Sequence, residues 1–188
     1  MGGISETDLV AVTQIPPFRN ALQDASLALT VGAYTNGGYP ASVFYKYHVI
    51  PSDTTLEVGP AAPIPVLVTP SDEDILSTGR LAWSVEYPQN VDFYALTMRM
   101  YSSQNNGDLL YQIYLPGTAT SAEFPTVYSW PDDKSGMLYI QLTAYKSVRE
   151  GFDFNLFSTA ELRYNYIHSS AYVTRSFQNP KNFSAAQP

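Results

Sequence analysis

Apolar and polar residues alternate with a period of two through much of the chain, the pattern of strands that bury one face. Leu81, Trp83 and Val85 alternate with Ala82, Ser84 and Glu86. Tyr94, Leu96, Met98 and Met100 alternate with Ala95, Thr97, Arg99 and Tyr101, and Leu138, Ile140, Leu142 and Ala144 with Tyr139, Gln141, Thr143 and Tyr145. Similar runs predict strands over residues 9–15, 27–34, 43–50, 65–69, 109–115, 152–157, 160–168 and 171–177. Turn residues separate them. Asn-Gly supplies the positive φ of tight hairpin turns, so Asn36-Gly37 and Asn106-Gly107 are the expected hairpin tips. Ten or so strands spaced about ten residues apart predict an all-β, antiparallel β-sandwich. The one helical pattern, residues 19–28, follows Pro16-Pro17, a suitable helix start.

Three prolines, Pro60, Pro63 and Pro65, fall within six residues and mark the one plausible boundary. This stretch either links two modules or leads into the first strand of one. The expected organisation is N-terminal strands over residues 1–58, serving packing or assembly, and a sandwich with a C-terminal tail over 59–188. Residues 1–58 offer few strands for a core of their own. They are expected to pack on the second part or on a neighbouring molecule.

Residues 64 to about 168 carry a further signal. Ile64-Pro65-Val66-Leu67-Val68-Thr69-Pro70 precedes Leu81-Ala82-Trp83, with a tryptophan two residues after an aliphatic. Tyr94-Ala95-Leu96-Thr97-Met98, Leu115-Pro116-Gly117-Thr118-Ala119-Thr120 and Ile140-Gln141-Leu142-Thr143-Ala144 follow. In this order the segments resemble a fibronectin type III or related immunoglobulin-like domain. The position of that family's corner tyrosine falls on Leu138, with Tyr139 one residue out of phase. The resemblance implies a sandwich fold and the roles common to such domains: spacer, adhesion module or ligand binder.

Composition narrows the chemistry. The 188 residues include no cysteine and two histidines, so thiolate zinc sites, iron–sulfur sites and a cysteine nucleophile are excluded. A net charge of −7, with ten Lys and Arg, argues against nonspecific nucleic-acid binding. No apolar run reaches the 18 or so residues of a spanning helix, so no membrane span is expected. The first residues show neither the basic region nor the apolar core of a signal peptide. Either the chain is not exported by that route or a leader has been removed.

Asp72-Glu73-Asp74 and Asp132-Asp133 could offer oxygen ligands to calcium, but neither has the spacing of a calcium loop, and solvated turns are the expected role. Carboxylate pairs for glycoside hydrolysis are not marked out. His48 and His168 sit among tyrosines on predicted strands; two histidines without cysteine do not define a zinc site. No Gly-x-Ser-x-Gly elbow and no phosphate loop occurs, so no catalytic residue, cofactor or metal is expected. Asn182-Phe183-Ser184 is a glycosylation sequon that matters only in a host that modifies exported proteins.

Tyrosine is the anomaly. Fifteen occur, and Tyr45, Tyr47, Tyr101, Tyr139, Tyr145, Tyr164 and Tyr166 alternate onto faces expected to point outward. Tyrosine suits interfaces and can stack on sugar rings, and it is also a good strand residue on a half-buried surface. Charge is uneven too, with 14 acidic and 4 basic residues over 1–133 and 3 acidic and 6 basic over 134–188, a split that would favour head-to-tail association. The strand at 9–15 has Leu9, Ala11, Thr13 and Ile15 on one face and Val10 and Val12 on the other, so it needs cover on both. The expected function is therefore a non-catalytic structural protein that self-assembles in an extracellular filament, surface layer or virus particle. Its interface residues would be Leu9, Ala11, Thr13, Ile15, Tyr45, Tyr47, Tyr164 and Tyr166. The alternative is a carbohydrate-binding or adhesion module.

Overall fold

Among the described residues nine strands form. The computed structural model describes residues 27–34, 40–48, 61–68, 79–101, 106–123, 137–163 and 166–178. The strands are β1 (Leu27–Tyr34), β2 (Ala41–His48), β3 (Val66–Leu67), β4 (Arg80–Ser84), β5 (Phe93–Tyr101), β6 (Asn106–Pro116), β7 (Ser121–Glu123), β8 (Met137–Ser147) and β9 (Ile167–Gln178). No α-helix occurs among the described residues, only three short 3-10 turns. The fold is all-β.

All strand pairs are antiparallel. A six-stranded sheet runs β1-β2-β9-β8-β5-β6 and a three-stranded sheet runs β3-β4-β7. The core lies between them. Leu81, Trp83 and Ala122 of the small sheet meet Tyr94, Leu96, Met98, Met100, Leu138, Ile140, Leu142 and Ala144 of the large one. Both sets sit at alternate positions, so the period-two pattern is the record of one-sided burial. The N-terminal hairpin β1-β2 joins the large sheet through β9, where Ala41 stands opposite Tyr172 and Phe44 opposite Ser169. The proline-rich stretch leads straight into β3. Ala62 and Pro65 are buried, and the Ala62 amide donates to Ser169 Oγ of β9 at 2.7 Å.

Several expectations need correction. Residues 152–157 are not a strand; they hold a 3-10 turn at Phe154–Leu156, entered through Asp153, whose carboxylate accepts the Asn155 amide. Residues 160–168 are not one either. A second turn occupies Thr159–Leu162, and β9 begins at Ile167. The reason is aromatic packing at a spacing of three: Phe154 and Phe157 stack with ring centroids 5.7 Å apart, while Leu156 is left 69% exposed. Leu27 and Ala28, which fall in both the expected helix and the expected strand at 27–34, open β1 and so follow the strand pattern.

Asn106-Gly107 is not a hairpin tip. Tyr101 already pairs with Asn106, so Asn106 and Gly107 belong to the ladder, and the connecting residues 102–105 lie outside the described residues. Gly107 instead forms a bulge inside the β5–β6 ladder with φ of 89°. A Cβ there would come within 2.7 Å of the Tyr101 ring, so the tyrosine covers the space a side chain would fill. Leu110 is the extra residue of a second bulge, between the Met98 and Arg99 pairings. His168 is that of a third, where Ser147 pairs with Ile167, and its ring meets Phe44 edge-on at 4.7 Å. The expected strand at 9–15, residues 19–26 of the expected helix, the Asn36-Gly37 tip and the sequon lie outside the described residues.

Candidate assembly surface

The outer face of the large sheet, the one turned away from the small sheet, is partly covered by the chain itself. Phe93 lies on that face and is fully buried. The β8–β9 connection folds back over it: Phe152 and Phe157 lie 5.4 and 5.0 Å from the Phe93 ring, Tyr145 stacks on it at 4.9 Å, and Tyr114 of β6 meets Phe157 at 4.9 Å. This is a second apolar cluster built from six rings, counting Phe154.

Two ion pairs fix the connection. Asp92, just before β5, accepts from Lys146 Nζ at 2.8 Å through one oxygen and from the Ser147 amide at 2.8 Å through the other. Arg149 pairs with Glu161 of the second turn and stands over the Phe152 ring at 5.3 Å. The base of the connection is closed by the Val148 amide donating to the Tyr166 carbonyl. Two basic groups of the C-terminal third therefore serve internal pairs rather than a charged docking face.

The expected interface residues divide as follows. Leu9, Ala11, Thr13, Ile15 and Tyr164 lie outside the described residues. Tyr45 and Tyr47 lie on β2, opposite Thr30 and Ala28 of β1, and Tyr45 is half-buried. Tyr166 is exposed beside the start of β9, at the same end of the sheet as Tyr45. Other tyrosines are engaged within the molecule. Tyr94 meets Trp83, Tyr145 meets Phe93, Tyr114 meets Phe157, and Tyr101 meets both Tyr139 and Gly107. Burial raises the phenol pKa values of Tyr94, Tyr111 and Tyr114 above their ordinary range. At Tyr94 the neighbouring Trp83 indole pulls the other way.

What the sequence did not single out are the sheet edges. Among the described residues no strand pairs with the outer side of β1 or of β6. β1 reads Leu-Ala-Leu-Thr-Val-Gly-Ala-Tyr and carries no charge. β6 carries one, Asp108, beyond the Leu110 bulge, so its regular stretch at 111–116 is uncharged. The edges of the small sheet differ. β7 has three residues and ends on exposed Glu123. On β3, Val66 stands opposite Ser84 and the Val68 amide donates to Ala82, which turns the Leu67 amide to the open side; Pro65, two residues earlier, has none. Exposed Val66 and Val68 lie on its outer face.

Among the described residues no three His, Asp or Glu side chains are grouped to hold a metal, and no helix is long and apolar enough to cross a membrane. Asp72-Glu73-Asp74 and Asp132-Asp133 lie outside those residues. Comparison of the chain with protein-family models, curated proteins and solved structures finds no match.

Proposed function

We propose that this chain is a non-catalytic structural protein that assembles with copies of itself, as the subunit of an extracellular filament, a surface layer or a virus particle. The observation that carries the proposal is the six-stranded sheet ending in two strands without charge along their regular pairing stretches. Unpaired backbone amides and carbonyls on such edges recruit other chains, and proteins that stay monomeric blunt them with lysine, proline or a covering loop. β3 and β7 are short and blunted in this way; β1 carries no lysine or proline, and among the described residues no strand pairs with its outer side.

The fibronectin III or immunoglobulin-like reading belongs to the same proposal. Counted from β3, the first, second and fifth strands make the small sheet, while the third, sixth and seventh lie side by side in the large one. That order supports an immunoglobulin-like sandwich with β1-β2 added beyond the last strand.

The test is sedimentation of the purified full chain over a concentration series, with electron microscopy of the concentrated samples. Mass should rise with concentration and regular polymers should appear. A monomer at every concentration would refute the proposal, and binding to glycans by that monomer would favour the adhesion alternative.

A further inference from the structure

We infer that copies of the chain join edge to edge, β6 of one against β1 of the next, so that the six-stranded sheet continues from subunit to subunit. The inference rests on the self-assembly reading and names its junction. Among the described residues every neighbouring pair in the large sheet is antiparallel and the strands number six, so β1 and β6 run in opposite directions. A second copy in the same orientation therefore sets its β1 antiparallel to the first copy's β6. No inversion is needed, and the ladder and the two faces of the sheet carry on across the junction. Pairing β1 with β1, or β6 with β6, would instead require a two-fold axis and would stop at a dimer.

The chemistry of the two edges fits this. The stretch at 111–116 and the whole of β1 are uncharged, so no like charges meet across the junction. The Gly107 and Leu110 bulges and Pro116, which has no amide hydrogen, limit regular pairing to residues 111–115 of β6. β1 has eight to offer them. The remaining edges cannot compete: β3 has two paired residues after a proline, and β7 has three.

The absence of cysteine allows a direct test. Thr30→Cys lies in the middle of β1 and Gln112→Cys in the regular stretch of β6. Each full-length variant is treated with a short flexible bis-maleimide, alone and as a mixture. The mixture should give cross-linked dimers at least tenfold above either variant alone, and the double variant should give a ladder of higher multimers. Equal cross-linking of one variant with itself would overturn the inference in favour of a two-fold edge contact. Polymers without an edge cross-link would overturn it while leaving self-assembly intact, and loss of those polymers on deleting residues 1–16 would move the junction to the N-terminal strand. Failure of the wild type to assemble would remove both readings.

A check without variants is fibre diffraction of the wild-type polymer. Strands perpendicular to the axis give a reflection near 4.8 Å and a subunit repeat of roughly 29 Å, six strand spacings. A repeat unrelated to six strands would also overturn the junction.

Discussion

Trp83 is 3% exposed and meets Tyr94 edge-on at 5.3 Å, with Leu81, Leu96, Ile140 and Leu142 in the same cluster. Trp83→Ala empties an aromatic site between the two sheets and should cost about 3–5 kcal/mol, read from denaturant unfolding. A midpoint unchanged from wild type would place the tryptophan outside the core. Tyr94 adds a pH dependence. Its phenol is raised by burial, so above pH 10 the unfolded chain releases this proton while the folded chain still holds it. The contribution is complete below pH 10 and is lost as pH rises through the folded value. Stability should therefore fall on the alkaline side, with phenolate absorbance and loss of tertiary structure rising together. Ionisation of all tyrosines at the ordinary value in a folded protein would contradict it. These positions were legible in the sequence because burial on one face of a strand leaves a period of two. Gly107 was legible only by half: the need for positive φ was visible, but whether a turn or a bulge uses it depends on a register set by Tyr101 across the ladder.

At the scale of elements, Asp92, just before β5, holds the end of β8 from which the β8–β9 connection departs. Removing its carboxylate leaves the Ser147 amide and Lys146 without their acceptor. Asp92→Ala should lower stability by about 2 kcal/mol. It should also speed proteolytic cleavage within 148–166 more than elsewhere. Uniform cleavage across the chain would mean that Asp92 acts on the whole fold and does not anchor this segment. The sequence misled here for a physical reason. Phe152, Phe154, Leu156 and Phe157 mimic a strand in composition, yet Phe152 and Phe157 pack on Phe93 and Phe154 stacks on Phe157, and only the partner ring across the sheet decides that. The edge strands were hidden for a related reason. Nothing in the residues of β6 states that it is the outermost described strand of its sheet; that depends on which strands come to lie beside it.

Across the whole molecule, the two-sheet arrangement followed from alternation, but the pairing of β2 with β9 did not, because short strands of similar composition carry no address. That pairing has a consequence for how the protein comes into being. The β1-β2 hairpin is among the first described parts to be synthesised, and β9, its partner, is the last of the described strands to be made. While the intervening strands emerge from the ribosome, β2 must wait with its inner edge unfilled. Contacts between such distant segments close late because the loop entropy must be overcome before they form. A nascent chain stalled before residue 167 should keep the β1-β2 hairpin accessible to protease, and release of the full chain should protect it. Protection already present in the stalled chain would show that the hairpin finds another surface first. While that edge is unfilled, β2 would accept β9 from a neighbouring polypeptide on the same message as readily as its own, so the timing of synthesis bears on whether the sheet closes within one molecule.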